Sequence, residues 1–271
     1  MAGRVGLIFV KLGGSVITDK AKPFTEREDV IKRLAREIHS AHIHTGLRLL
    51  LGHGGGSYPH IPANQYKTYL GLVGEDSRIG IALVQDAAAR LNRIVVNALI
   101  SEGEKAVSIQ PSCAAVSRDG RIVSWDLRPI RLMLNLNLTL VPYGDVSMDL
   151  STGCSILSTE ELFRYLGLKL KPHRVIVGSD VDGVYNQDPK KNSAAQKIPL
   201  ITTENINSVL PSLGGANNID VTGGMRSKVL SLLELAKMAG VECEILDISK
   251  PGNLEDALNG KKGMGTIIRR A

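Results

Sequence analysis

Short apolar runs that stop at glycines, with a helical pattern after each, limit this chain to few folds. Residues 6–10 run into Lys11-Leu-Gly-Gly-Ser15, and residues 47–51 run into Gly52-His-Gly-Gly-Gly56. An apolar run of this length that ends in glycine reads as a buried strand closed by a turn. Between the two, Val30, Ile31, Leu34 and Ile38 recur at helical spacing as far as Gly46. Thr25, with Glu28 three residues on, has the form of a capping box that would open this helix. A strand, a helix and a second strand in succession make a βαβ unit with parallel strands.

The alternation continues along the chain. Residues 80–102 predict a helix with Ile81, Val84, Ala88, Leu91, Val95 and Leu99 on one stripe, and 105–109 a strand. Residues 138–143 form a strand that ends at Gly144-Asp145. Ser158 with Glu161, a second capping-box pattern, opens a helix to Leu166. Residues 174–178 are a strand ending in Ser179-Asp-Val-Asp-Gly183, 225–239 a helix, 241–247 a strand, and 266–269 the last strand. The predicted fold class is α/β, an open αβα sandwich with a mainly parallel central sheet. Polar residues 186–196 are expected to form a mobile loop.

Composition removes several classes. At 271 residues the chain can bury a full core without staples. No apolar run approaches the ~18 residues of a membrane span, so a cytoplasmic protein without a membrane partner is expected. Cys113, Cys154 and Cys243 are widely separated and read as buried, reduced thiols. His39, His42 and His44 cluster near a helix end without cysteine partners, so they read as surface or interface residues and no metal-ligating set is expected. With 33 Lys plus Arg against 27 Asp plus Glu, the net charge is +6. That would tolerate nucleic acid, but the basic residues are dispersed and no recognition motif accompanies them, so no nucleic-acid partner is expected.

Ligands of open α/β sheets sit at the carboxyl ends of the strands. Here those ends carry Gly13-Gly14-Ser15, Gly54-Gly55-Gly56-Ser57, Gly144-Asp145 and Gly178-Ser179-Asp180, with Gly223-Gly224 before a later helix. Without a Cβ, glycine lets the backbone approach phosphate oxygens closely. Neither a Walker A sequence nor a dinucleotide fingerprint is present. Lys11 interrupts an otherwise apolar strand, Lys20 follows the first glycine turn, and Lys228 lies one turn inside a helix. One glycine cluster alone could be a plain turn, and one lysine alone a solvated side chain. Ammonium groups gathered round a transferring phosphoryl group would neutralise its oxygens.

Taken together, the motifs resemble the amino-acid kinase superfamily. They are Lys11-Leu-Gly-Gly-Ser15, Ile17-Thr-Asp-Lys20, His53-Gly-Gly-Gly-Ser57 with His60, Ser108-Ile-Gln-Pro-Ser112, Gly144-Asp145, Asp180-Val-Asp-Gly-Val184, and Asp220-Val-Thr-Gly-Gly-Met225 with Lys228. The resemblance runs from Lys11 to Thr266. It implies one continuous unit of two lobes, residues 1–145 binding the phosphoryl acceptor and 146–271 binding ATP, in a cytoplasmic homodimer. Within the superfamily the pattern is most similar to members that use ATP to convert isopentenyl phosphate to isopentenyl diphosphate in a mevalonate-type isoprenoid route. A fosfomycin-type kinase is the enzymatic alternative, and a non-catalytic nucleotide-binding protein is the alternative of another class.

The resemblance also implies roles. Lys11, Lys20 and Lys228 would stabilise the transferred group, with His60, Gly54 and Gly55 holding the acceptor phosphate. Asp145 would organise the acceptor site, and Ile81, Val84 and Ala88 would line an apolar slot. Gly13, Gly14, Ser15, Asp180, Gly183, Val184, Tyr185 and Gly224 would meet ATP, which brings Mg²⁺ as its complex. Two motifs depart from the family pattern. Tyr58-Pro59 stands where Phe-Gly is common before the histidine, and Ser158-Thr159-Glu160 stands where Ser-Gly-Asp is common. Glu160 either orients the lysines or simply favours the first turn of its helix.

Overall fold

A computed structural model describes residues 6–187, 189, 192–213 and 224–271. In chain order the elements are β1 (Leu7–Leu12), α1 (Gly14–Ile17), α2 (Glu28–Thr45), β2 (Arg48–His53), α3 (His60–Gln65), α4 (Ser77–Ser101), β3 (Ala106–Ile109), β4 (Ala115–Arg118), β5 (Arg121–Trp125), α5 (Arg128–Asn135), β6 (Thr139–Pro142) and β7 (Asp145–Asp149). They continue as β8 (Gly153–Leu157), α6 (Thr159–Leu170), β9 (Arg174–Ser179), β10 (Val184–Tyr185), β11 (Lys197–Ile198), β12 (Leu200–Thr202), α7 (Ile206–Val209), α8 (Gly224–Ala239), β13 (Glu242–Asp247), α9 (Asn253–Leu258) and β14 (Thr266–Arg269).

Eight strands form the central sheet in the order β12-β14-β13-β9-β1-β2-β6-β3. It is parallel from β13 to β3; β14 joins β13 antiparallel, and β12 pairs parallel to β14 as the edge strand. The αβα sandwich follows from a period of two within each strand. Leu7, Phe9, Leu50, Leu140, Val175, Val177 and Cys243 face one core with α6 and α8 over it. Ile8, Val10, Leu12, Leu49, Leu51, Val141 and Ile176 face the other, under α2, α4 and α9. Burial on both faces explains why these strands read as unbroken apolar runs rather than alternating ones. The division between residues 145 and 146 falls inside β7. Because β9 and β13 pair into the same sheet as β1, the two halves share their core.

Several expectations are corrected. Thr25 does not cap α2: the helix starts at Glu28 after Arg27, and the Thr25 hydroxyl donates to the Pro23 carbonyl instead. Ser158 does cap α6, accepting from the Glu161 N–H at 3.2 Å. Cys154 and Cys243 are buried, but Cys113 is exposed on a short 3₁₀ turn. Of the polar segment 186–196, residues 188, 190 and 191 lie outside the described residues; β10 and β11 pair antiparallel at its base.

A second sheet, ordered β5-β4-β7-β8, is an element that the apolar runs do not announce. Its signal is Asp119-Gly120 between β4 and β5, where both residues take positive φ (51° and 74°), as a two-residue hairpin turn requires. Asp149 holds this turn against the next one. Its carboxylate accepts from the N–H groups of Asp119, Gly120, Ser151 and Thr152 and from the Ser117 hydroxyl. Burial opposes its charge, but these bonds keep it well below the usual carboxylate range.

The histidines of α2 also differ from their reading. His44 is exposed, but His39 and His42 are half-buried and turn their Nδ1 atoms to Glu104 at 3.0 Å. Burial pushes the Glu104 carboxyl up, yet its bonds with His42, His39 and Thr139 hold it at about 2. The stability it contributes is therefore complete above its unfolded value of 4.5 and is lost as pH falls toward 2. His42, raised by Glu104, contributes in the opposite sense, losing its share as pH rises through its folded value. Glu104→Gln is expected to cost about 2 to 3 kcal/mol at about pH 6 and much less at about pH 3. Urea unfolding of both proteins at the two pH values checks this, and an equal cost at both would contradict it.

Candidate active site at the carboxyl ends of the parallel strands

The parallel register of β1 between β2 and β9 aligns Lys11 with Gly52 and Val177, so three strand ends emerge side by side. Their turns then pack backbone on backbone. A Cβ at Gly13 would lie 2.5 Å from the Gly178 carbonyl oxygen, and one at Gly14 would lie 2.5 Å from the Gly56 nitrogen. Any larger residue would force the turns apart. Thr18 clips the two glycine turns together, accepting from the Ser57 N–H at 3.0 Å and donating to the Gly14 carbonyl at 2.7 Å.

The same period of two aims Lys11. Phe9 faces the α6 and α8 layer, so Lys11, two residues on, does too. There its Nζ lies 2.5 Å from Oε1 of Glu160, in the first turn of α6. Lys11 and Glu160 are 8% and 7% exposed, so this is a buried pair. Burial raises the Glu160 carboxyl, but the charges of Lys11 and then Lys228 outweigh that and hold it below its ordinary value. Burial, together with repulsion from Lys11 and Lys20, lowers the Lys228 ammonium, against the pull of Glu160 and Asp180. Three lysines and two carboxylates thus act on one another. Ser15 adds a donor, its hydroxyl 2.9 Å from Oδ1 of Asp180.

These groups line a cleft of about 650 Å³. On its wall are Lys11, Gly13, Gly14, Ser15, Lys20, Gly54, Gly55, His60, Asp145, Glu160, Asp180, Gly183, Tyr185, Gly224 and Lys228. Beside His60 the wall turns apolar, with Pro59, Ala63, Val84, Ile156 and Leu157. Asp145 opens β7, accepting from Ser112 and Val146 N–H groups, and burial pushes its carboxyl up to about 6. Tyr185 donates to Asp182, which Lys197 also pairs at 3.3 Å.

Three residues expected in the site stand elsewhere. Ile81 and Ala88 are not on the wall: Ile81 packs behind Val84 against a small cluster of Ala63, Val146 and Cys154, and Ala88 is buried in the helix face. Val184 is a core residue whose N–H donates to Thr266 Oγ1 at 2.7 Å. Residues 220–223 of the last motif lie outside the described residues. Tyr58 is buried, donating its hydroxyl to Glu26 and packing edge-on to Phe24, while Pro59 stays on the wall as the N-cap of α3.

Other wall residues escape sequence reasoning. Thr159 lines the cleft and donates to the His53 carbonyl at 2.6 Å; its place beside the Ser158 cap was the available signal. Ser212 and Leu213 come from a 3₁₀ segment without periodicity, so no pattern marks them. Met225 was legible only as the residue after the paired glycines.

A parallel sheet with glycine turns and a lysine cluster at the carboxyl ends of its central strands defines a class of protein, and the sequence falls in that class. The model of the amino acid kinase family matches residues 6–247, and the chain belongs to that family. Within it, the isopentenyl phosphate kinase of Methanothermobacter thermautotrophicus is 40% identical over 270 residues, spanning 97% of this chain and 98% of its own. The isopentenyl phosphate kinase of Methanocaldococcus jannaschii is 34% identical over 267 residues, spanning 94% and 96%. A crystallographic isopentenyl phosphate kinase superposes with a TM-score of 0.83 at 37% identity, covering 97% of this chain and all of that one. No helix of the described residues is long and apolar enough to cross a membrane.

Proposed function

We propose that this chain is a kinase that transfers the γ-phosphoryl group of ATP to isopentenyl phosphate, giving ADP and isopentenyl diphosphate. The observation that carries it is one cleft with two ends, a lysine cluster beside glycine turns and an apolar wall beside His60. The long, near-complete similarity to isopentenyl phosphate kinases supports the same substrate.

In the reaction an oxygen of the acceptor phosphate attacks the γ-phosphorus, the bond from that phosphorus to the β–γ bridging oxygen breaks, and ADP leaves. Little covalent chemistry falls to the protein, so positioning and charge neutralisation supply the acceleration. Lys11, Lys20 and Lys228 neutralise the transferred group, and Glu160 holds Lys11 against drift. Gly13, Gly14 and Ser15 cradle the nucleotide phosphates, while Asp180, Gly183, Tyr185 and Gly224 contact the nucleotide. His60 donates to the acceptor phosphate between the Gly54 and Gly55 backbone and the Asp145 end. Val84, Ala63 and Ile156 cover the prenyl chain.

Magnesium bound with the nucleotide would supply further charge neutralisation. It prefers hard oxygen ligands, and the Asp180 carboxylate beside the Ser15 hydroxyl offers such oxygens at the nucleotide end. In this reading residues 1–145 supply most of the acceptor site and 146–271 most of the ATP site, with Gly13, Gly14 and Ser15 reaching the nucleotide from the first half and Ile156 the acceptor from the second. The enzyme works in the cytosol as a homodimer, for which exposed Leu72 and Val73 before α4 and Ile79 and Leu83 in its first turns offer apolar surface.

A coupled assay of ADP release with isopentenyl phosphate, dimethylallyl phosphate, fosfomycin, acetylglutamate and UMP tests the substrate. Isopentenyl phosphate is expected to give the highest kcat/KM. Preference for any of the last three, or no release with any of the five, would overturn the reading.

A further inference from the structure

Beneath the second glycine turn lies a buried polar chain that the reaction described above does not use. His53, at the end of β2, is 1% exposed, and its ring stacks on Tyr143 with centroids 5.6 Å apart and planes 4° from parallel. Asn92 of α4, 2% exposed, reaches its Nε2 at 3.1 Å, and Ser108 of β3 reaches Asn92.

Donor and acceptor capacities fix every orientation in this chain. The Ser108 hydroxyl donates to Asn92 Oδ1 at 2.5 Å, and Asn92 Nδ2 lies 3.4 Å from the Val141 carbonyl, which can only accept. The amide nitrogen of Asn92 therefore faces His53, so His53 Nε2 must accept. A neutral imidazole that accepts at Nε2 carries its proton at Nδ1, and Nδ1 lies 3.1 Å from the Gly54 carbonyl oxygen. Burial, reinforced by the Lys11 charge, lowers the imidazole to about 4 against the Gly54 bond, so the ring is neutral at physiological pH.

The last link concerns the peptide that follows. In a trans peptide the carbonyl and the next N–H point in opposite directions. With the Gly54 carbonyl held against His53, the Gly55 N–H points away from it. Gly55 lines the cleft, and a Cβ on Gly144 across the cleft wall would sit 3.9 Å from its nitrogen. Among the described residues nothing accepts a hydrogen bond from the Gly55 N–H.

We propose that His53 is a positioning residue: Ser108 and Asn92 fix its Nδ1–H tautomer, which turns the Gly54–Gly55 peptide so that the Gly55 N–H faces the acceptor's phosphate. The identity of that acceptor rests on the substrate reading above; the tautomer and the direction of the N–H do not. The ring acts through the backbone and touches no reacting atom.

Long-range ¹⁵N–¹H spectra of the full chain with labelled histidine read the tautomer directly. His53 is expected to show a protonated Nδ1 and an unprotonated Nε2, unchanged between about pH 5.5 and 8. A protonated Nε2, or titration near the ordinary histidine value, would overturn the proposal. Addition of inorganic phosphate to the same protein is expected to shift the Gly55 amide, and an unmoved Gly55 amide at saturation would count against it.

Two variants separate positioning from packing. The amide nitrogen of His53→Asn replaces Nδ1, and that of His53→Gln replaces Nε2. His53→Asn is expected to keep KM for isopentenyl phosphate within about threefold, and His53→Gln to raise it about tenfold, with KM for ATP unchanged in both. An equal rise in the two variants, or a rise for ATP, would mean that the histidine serves packing alone. If the parent protein fails to turn over isopentenyl phosphate, the substrate reading fails, while the spectra still decide the positioning role; they also decide it if the variants do not fold.

Discussion

Lys11→Met is expected to lower kcat by about a thousandfold while leaving KM for ATP within a few fold. Lys11 is 8% exposed, its ammonium is held at 2.5 Å by Glu160, and its strand position faces both the α6 layer and the cleft. A charge fixed in that way needs no reorganisation when the γ-phosphoryl group becomes loosely bonded, so its full effect falls on the transition state. Removing it has a second consequence, because Glu160 is left buried without its nearest partner. Loss of one member of a buried pair costs about 3 to 5 kcal/mol, but Lys228 also acts on Glu160, so a loss of roughly 1 to 3 kcal/mol is expected here. The two effects are separable. Lys11→Met combined with Glu160→Leu removes the stranded charge and should recover most of the urea midpoint, but none of the turnover. Recovery of turnover in the double variant would mean that the loss in the single variant came from Glu160 rather than from Lys11.

His60→Ala is expected to lower kcat/KM for the acceptor about a hundredfold, with the fold and ATP binding intact. His60 is only half-buried at the start of α3, so truncation opens no core cavity, and the unfolding midpoint should move little. It sits on the wall with Gly54 and Gly55, where the apolar residues Ala63 and Val84 begin. In the proposed reading a donor there would hold the acceptor phosphate rather than the nucleotide. Steady-state kinetics with each substrate varied in turn, beside a urea titration, check the split. Parent-like kcat/KM, or a rise confined to KM for ATP, would remove His60 from the acceptor site.

Much of this site was legible because β1, β2 and β9 are buried on both faces. Their apolar runs stand out, and the glycines that end them mark the cleft edge. Lys11 was legible for the converse reason, as a charge at the glycine end of such a run, whereas Arg48 and Arg174 stand at the opposite ends of theirs. The second sheet was harder to see. β4, β5, β7 and β8 are short and mix polar with apolar residues, and only the Asp119-Gly120 turn gave a local sign of them. Ile81 and Val84 share a helical stripe, yet only Val84 reaches the wall, because a stripe gives the buried face without giving the depth of each side chain. The His53, Asn92 and Ser108 chain joins β2 to the α4 and β3 pair that begins more than twenty residues later. Its partners are set by strand order, which no local pattern carries. Thr25 shows the opposite case, a correct local motif overruled when its segment was drawn toward the Ser57 turn, where the Thr25 N–H meets the Ser57 hydroxyl at 3.3 Å.

The central claim is that a phosphate oxygen of isopentenyl phosphate accepts the γ-phosphoryl group of ATP in this cleft. ³¹P NMR of the protein mixed with isopentenyl phosphate and magnesium ATP follows every phosphorus at once. The predicted result is loss of the monoester and γ-phosphate signals as the coupled doublets of a prenyl diphosphate and the signals of ADP grow in equal amounts. An intact monoester signal, with ATP either unchanged or converted to ADP and orthophosphate, would contradict it.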